Sequence, residues 1–254
     1  MNSRNARLTG LTCVVAGAAS AIGRAVAERL ACKGAFVVGL DAVNHTTGSI
    51  SITTDLSEED SVRAAFVRIH KETGRIDVLY NNTGLVLPED TSVLETSSEV
   101  LNRIWSANFL TAWLCCKHCI PYMLQNDPPS GAVVNCSSFL AGRGSATRQM
   151  SYNAAKAAVS QMSRDLGTNL ARRGVRVNAF CLGPIETPAL TEVFHRIGEQ
   201  ERHRRFLHMP LGRFGTLEEI AGTVAFLASK DAGFITASVF PIDGGIQNAF
   251  TVPE

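Results

Sequence analysis

The chain has no apolar run approaching the ~20 residues needed to cross a membrane as a helix, which argues against a spanning helix. It has no excess of either charge: 24 basic residues against 23 acidic ones give +1. That balance removes the electrostatic case for a nucleic acid or an anionic membrane surface as partner. Its first residues, Met1 to Arg7, carry charge with no apolar stretch behind them, so no signal peptide is expected. It lacks internal repeats and low-complexity linkers, which favours a single domain over residues 1–254. Seven cysteines cannot all pair, and with no secretory signal they read as reduced thiols of a cytoplasmic protein. The cluster Cys115-Cys116-Lys117-His118-Cys119 has no second ligand pair at zinc spacing, so no metal is expected. On a helix Cys115 and Cys119 share a face while Cys116 points elsewhere, and apolar packing is the expected role.

What is present is 45% hydrophobic residue against 19% charged in 254 residues, enough for a sizeable core. Leu11–Ala16 reads as a buried strand, Gly17-Ala18-Ala19-Ser20-Ala21-Ile22-Gly23 as a turn, and Arg24–Lys33 as a helix ended by Gly34. Strand, glycine turn and helix in that order aim backbone N–H groups at a phosphate. A second strand, Ala35–Leu40, ends on Asp41, where a carboxylate can accept hydrogen bonds from an adenosine ribose. These elements together predict a dinucleotide site.

Only 13 residues separate Asp41 from Asp55, and a strand at Ile50–Thr54 takes five of them. The usual crossover helix is therefore reduced to a loop or one turn. Asp55-Leu56 closes that strand near the expected adenine. Ser57 is predicted to cap a helix reaching Thr73, and Gly74 to end it. A strand at Ile76–Tyr80 runs into Asn81-Asn82-Thr83-Gly84. The spacing from Thr96 to Glu99 predicts a capping box for a long helix that carries Asn108 and has Pro121 in its last turns. Strands at Ala132–Cys136 and Val175–Cys181 flank a helix at Met150–Arg172. A polar helical excursion starts at Pro188 and continues to about Leu207, inside a segment of about 188–213 expected to act as a substrate lid. Its His195, His203, His208, Arg196, Arg202, Arg204 and Arg205 either form a solvated face or attract an anionic substrate. Thr216 to Glu219 is a second capping box, for a helix to about Ser229, and Val239–Ile242 is a last strand before Asp243-Gly244-Gly245. Strands alternating with helices predict an α/β fold: a Rossmann-type, doubly wound parallel sheet of about seven strands, covered on both faces. Ligands bind such sheets at the strands' C-terminal ends.

The helix at 150–172 carries Tyr152 and Lys156 one turn apart on one face. Using a phenol as acid or base near pH 7 asks for a shift of roughly three units, or about 4 kcal/mol. A cation about 5 Å away at an effective dielectric of about 20 supplies roughly 3 kcal/mol.

In motif and order, from about Leu8 to Gly245, the chain resembles the short-chain dehydrogenase/reductase family. The matching motifs are Gly17…Gly23, Asp55-Leu56, Asn81-Asn82-Thr83-Gly84, Asn108, Asn135-Cys136-Ser137-Ser138, Tyr152…Lys156, Gly183…Thr187 and Asp243-Gly244-Gly245. The resemblance implies a catalytic set of Asn108, Ser138, Tyr152 and Lys156. In it Tyr152 is the general acid/base and Ser138 bonds the substrate oxygen. Lys156 binds the nicotinamide ribose and lowers the tyrosine's pKa, and Asn108 holds a water that relays protons. It implies a cofactor cradle of Gly17, Ser20, Ala21, Ile22, Gly23, Asp41, Asp55, Leu56, Asn82, Thr83, Gly84, Tyr152, Lys156, Gly183, Ile185 and Thr187. Departures from the family pattern are Ala16 for threonine, Ala21 for the middle glycine, Thr83 for alanine and Leu182 for proline. Ser138 also stands one residue further from Tyr152 than is usual, and the loop 139–142 absorbs that residue. With Asp41 followed by Ala42 and Val43, a 2′-phosphate is disfavoured and NAD is expected over NADP.

The resemblance thus implies hydride transfer between nicotinamide and a secondary alcohol or ketone, by a small-molecule enzyme that forms a homo-oligomer, most often a tetramer. Alternatives are an NADPH-dependent carbonyl reductase of the 3-oxoacyl type, a dihydrodiol dehydrogenase and a non-catalytic NAD-sensing protein. In the tetramer the helices carrying Asn108 and Tyr152 are expected at interfaces, and Phe250–Pro253 to pack on a neighbour.

Overall fold

A computed structural model describes residues 7–145 and 148–249. Seven parallel strands form one sheet in the order β3-β2-β1-β4-β5-β6-β7. They are β1 (Thr12–Ala16), β2 (Phe36–Asp41), β3 (Ile50–Thr53), β4 (Val78–Asn81), β5 (Gly131–Ser138), β6 (Val175–Leu182) and β7 (Val239–Ile242). The helices are α1 (Ala21–Cys32), α2 (Glu59–Thr73), α3 (Ser98–Trp105), α4 (Thr111–Gln125), α5 (Met150–Leu170), α6 (Pro188–Arg196), α7 (Glu199–Phe206) and α8 (Leu217–Ala228).

Successive strand residues face opposite sides of the sheet, and both sides are buried. Val14, Val38 and Leu79 join α2, α4 and α5 in one core, with Phe66, Cys115 and Val159. Val15, Val37 and Tyr80 join α1 and α8 in the other, with Leu30, Ile220 and Val224. Continuous apolar runs such as Cys13-Val14-Val15 follow from this two-sided burial. Cys116 is buried with Cys115 and Cys119, so the expected separation of faces does not leave it outside the core; its Sγ lies 3.5 Å from Asn81 Nδ2.

Three local expectations need correction. Ser57 does not cap α2: its N–H and hydroxyl both turn back to Asp55 Oδ1, at 2.8 and 2.6 Å, and Glu58 takes the cap position. The α3 cap is Ser97, whose Oγ accepts from Val100 N; Thr96 Oγ1 accepts from Thr91 N instead. The long helix carrying Asn108 is interrupted by a π-turn over Ser106–Leu110, which inserts one residue between α3 and α4. The excursion after Thr187 is two helices, α6 and α7, held together by edge-to-face rings of Phe194 with Phe206 and Phe214. Both halves of the Thr216/Glu219 capping box form. The segment between β2 and β3 holds no helix. Among the described residues no helix is long and apolar enough to cross a membrane, and no group of three or more His, Cys, Asp or Glu gathers to hold a metal. The tail Phe250–Pro253 and the side chains of Arg204 and Arg205 lie outside the described residues.

Candidate active site

The strand order reverses direction of growth between β1 and β4, and the crevice this opens at their C-terminal ends is a cavity of about 430 Å³. Eight of the predicted cradle residues line it: Gly17, Ser20, Asp41, Asp55, Leu56, Asn82, Thr83 and Gly84. Gly17 has φ +85°, and a Cβ there would stand 3.1 Å from the Asn82 carbonyl carbon, so the turn needs glycine. Ser20 caps α1 by accepting from Gly23 N at 3.0 Å, leaving the first-turn N–H groups of Ala21 and Ile22 for an anion. Gly23 packs on the turn itself, where a Cβ would lie 2.1 Å from Gly17 O. Position 21 does not demand glycine: among described residues only Ala237 combines a side chain with positive φ. Asn82 Nδ2 donates to Ser20 Oγ at 2.8 Å and so ties the turn to β4. The Thr83 hydroxyl, unusual for the family, meets Thr111 Oγ1 at 2.6 Å.

Asp41 accepts from Ala19 N at 2.9 Å and Val43 N at 3.1 Å, which holds its carboxylate at the cavity edge. Arg103, Ser106, Ala107 and Thr111 also line this cavity, from the π-turn and the helices beside it. Sequence reasoning missed Arg103, for which the sequence carries no local signal.

The side chains expected to react lie at the end of β5. Lys156 is buried, and its Nζ donates to Thr83 O at 2.8 Å and Cys136 O at 3.1 Å. That ammonium stands 5.9 Å from the centroid of the Tyr152 ring. Burial pulls Lys156 below its usual value. Burial also pushes the Tyr152 phenol up to about 12, with Cys136 adding to the rise and a hydrogen bond from Ser138 opposing it. In the structure burial, rather than Lys156, sets the direction of the phenol's shift. The lysine is committed to two carbonyls, and desolvation of the phenolate dominates.

The two serines separate cleanly. Ser137 Oγ meets Lys156 O at 2.8 Å and Ser160 Oγ at 2.7 Å inside the packing against α5. Ser138 accepts from Leu140 N at 3.3 Å and meets Tyr152. Asn108 spends both amide hydrogens, on Leu85 O at 2.8 Å and Ile104 O at 2.9 Å, while its Oδ1 accepts from Leu85 N at 3.1 Å. It braces the wall beside Lys156: a Cβ on Gly84 would lie 3.3 Å from Asn108 Oδ1 and 3.5 Å from Lys156 Nζ. For the expected water only the second lone pair of Oδ1 remains on this side chain.

Gly183, Ile185 and Thr187 stand apart from the first cavity. Gly183 abuts Asp243, where a Cβ would lie 2.5 Å from the Asp243 Cα. Ile185 lines a second cavity, of about 340 Å³, with Met209, Leu211 and Arg213. Thr187 caps α6 through Leu190 N.

A family model described as enoyl-(acyl carrier protein) reductase matches residues 17–247. The chain belongs to the short-chain dehydrogenase/reductase family. It is an NAD(P)-dependent oxidoreductase acting on CH–OH groups. It is 36% identical to an uncharacterised oxidoreductase of Bacillus subtilis, over 97% of this chain and 94% of that one. It is 35% identical to a cis-4-hydroxycyclohexanecarboxylate dehydrogenase of Sinomonas cyclohexanicum, over 91% of this chain and 94% of that one. A 3-oxoacyl-[acyl-carrier-protein] reductase of Thermotoga maritima is 32% identical, over 94% of this chain and 99% of that one. Among solved structures, the ligand-free aldohexose dehydrogenase of Thermoplasma acidophilum superposes with a TM-score of 0.87 at 29% identity, covering 98% of this chain and 99% of that one. The short-chain dehydrogenase/reductase cavity fits a dinucleotide by its donor set: helix N–H groups at one point and a ribose-seeking carboxylate at another.

Proposed function

We propose that the chain is an NAD-dependent oxidoreductase that interconverts a secondary alcohol and its ketone, with Tyr152 as general acid/base. The observation that carries this reading is the meeting of Tyr152, Ser138 and the buried Lys156 ammonium at the end of β5. Tyr152 gives or takes the proton at the substrate oxygen, and Ser138 holds that oxygen by a hydrogen bond that strengthens as charge develops on it. NAD, when bound, supplies the hydride acceptor. Lys156 would bind the ribose through its ammonium, and Asn108 holds Leu85 and the adjoining main chain beside it. Gly183, Ile185 and Thr187 would hold the nicotinamide end, and α6 and α7 would act as the lid. Asp41 at the cavity edge favours a free ribose over a 2′-phosphate.

A second reading, an NADPH-dependent 3-oxoacyl-type reductase, is favoured by one observation: Arg103 places a cation in the wall of the same cavity. The similarity to the Thermotoga reductase points the same way. The test is a panel of secondary alcohols and ketones with NAD(H) and NADP(H), including cis-4-hydroxycyclohexanecarboxylate because of the Sinomonas relative. The expected result is turnover with kcat/KM higher for NAD, and loss of turnover in Tyr152→Phe with NADH still bound. Wild-type kcat in Tyr152→Phe would remove Tyr152 from the role, and a higher kcat/KM for NADP would install the second reading.

A further inference from the structure

Among the described residues, those assigned so far leave one fully buried carboxylate unused. Asp90 lies in the loop between β4 and α3, with 0% of its surface exposed. Its Oδ1 accepts from Ser151 N at 3.0 Å and its Oδ2 from Tyr152 N at 2.9 Å. Among the described residues helix α5 has no other side-chain device at that end: Gln149, at the cap position, makes no side-chain cap bond, and the first turn holds no acidic residue. Helix N-termini leave their first N–H groups without intrahelical partners. Here two of them, one being the amide of Tyr152 itself, are met by a carboxylate 61 and 62 residues upstream. Such charge-assisted bonds are short and strong, and negative charge is favoured at that end of a helix.

The same loop is fixed at its other end. Leu85 exchanges two hydrogen bonds with Asn108, and Asp90 N donates to Leu87 O at 3.0 Å. Residues 85–90 therefore form a strap, tied to the π-turn at one end and to the first turn of α5 at the other. We propose that Asp90 is a positioning residue for Tyr152, fixing the main chain from which the phenol reaches Ser138. This rests on Tyr152 being the acid/base group.

The experiment compares Asp90→Ala, Asp90→Asn and Tyr152→Phe with the wild type. It measures kcat with NAD and cis-4-hydroxycyclohexanecarboxylate, the Kd for NADH by fluorescence, and amide exchange across α5 in the NADH-bound protein. In Asp90→Ala the expected results are a 10- to 100-fold lower kcat, since displacements of about 1 Å cost that much, and a Kd within about 3-fold of wild type, a margin of about 0.65 kcal/mol. Exchange should rise at Ser151 and Tyr152 while the helix beyond Val159 stays protected. Asp90→Asn keeps one acceptor and should recover part of the kcat. The proposal is overturned by unchanged exchange at Tyr152, by unchanged kcat, or by cofactor affinity and whole-helix protection falling together, which marks a purely structural cap. Tyr152→Phe separates the two claims: if it keeps wild-type turnover, the acid/base assignment fails whatever Asp90 does. The exchange readout needs no substrate, so it decides the cap even with a probe the enzyme does not turn over.

Discussion

Tyr152 is half-buried and, in this environment, holds its proton through neutral pH, because burial has pushed the phenol up to about 12. The protonated form is the acid needed to reduce a ketone, and the ionised form is the base needed to oxidise an alcohol. Below a raised pKa the base form grows about tenfold per pH unit. Alcohol oxidation at saturating NAD is therefore expected to climb from pH 7 to pH 10, while ketone reduction holds level across that range. An oxidation rate flat across that interval would contradict the assignment. Ser138→Ala removes the hydrogen bond that pulls the phenol down, so the rising limb should move to higher pH as kcat falls. At this scale the sequence was informative where partners are close along the chain: Tyr152 and Lys156 are one turn apart. Asp90 was not legible, because its partners are 61 and 62 positions away and nothing in a lone aspartate signals a distant helix end.

Between β2 and β3 the chain has replaced a crossover helix with a short segment that grips the glycine turn. Thr47 is buried and donates from Oγ1 to Ala18 O at 3.1 Å, while its own N–H donates to His45 Nδ1 at 3.2 Å. Gly39 makes room for this: a Cβ there would lie 2.6 Å from Thr47 O and 2.7 Å from His45 Cε1. Thr47→Val keeps the shape and loses the bond, a net loss of about 1 kcal/mol. NADH affinity should weaken roughly 5-fold if the whole of that 1 kcal/mol falls on the bound state. Calorimetry should show Tm moving by no more than a few degrees, and Thr47→Ser should restore affinity. An unchanged Kd would mean that the turn holds its shape without this bond. The missing helix was readable from spacing alone, but the brace was not. The misplaced caps at Ser57 and Thr96 have a similar cause. Each serine or threonine is bonded outside the helix end, to Asp55 in one case and Thr91 in the other.

Across the whole molecule, Leu101, Leu110 and Trp113 on α3, the π-turn and α4, and Met150 at the start of α5, remain exposed beside the aromatic ladder Trp105–Phe109–Trp113. Apolar residues on the two helices that carry Asn108 and Tyr152 are where a homo-oligomer would form. We expect light scattering to report a tetramer, and Trp113→Glu to yield smaller particles with the sheet intact by circular dichroism. A wild-type monomer at micromolar concentration would end that expectation. The sheet was legible because most strands are short, largely apolar runs, and alternation with helices leaves few parallel arrangements. Val239–Ile242 was placed to the residue. The cavity walls contributed by helices were harder, since Arg103 reaches the site only through tertiary packing.

The π-turn gives the run from Ser98 to Gln125 one residue more than regular helical winding would use, and Asn108 sits within that surplus. Loss of a single residue there would let the run close into an unbroken α-helix, a gain by local criteria. It would also turn Asn108 by about 100° relative to α4 and release Leu85. In this chain a one-residue gap in that helix would distinguish descendants that keep the fold from those that keep the chemistry.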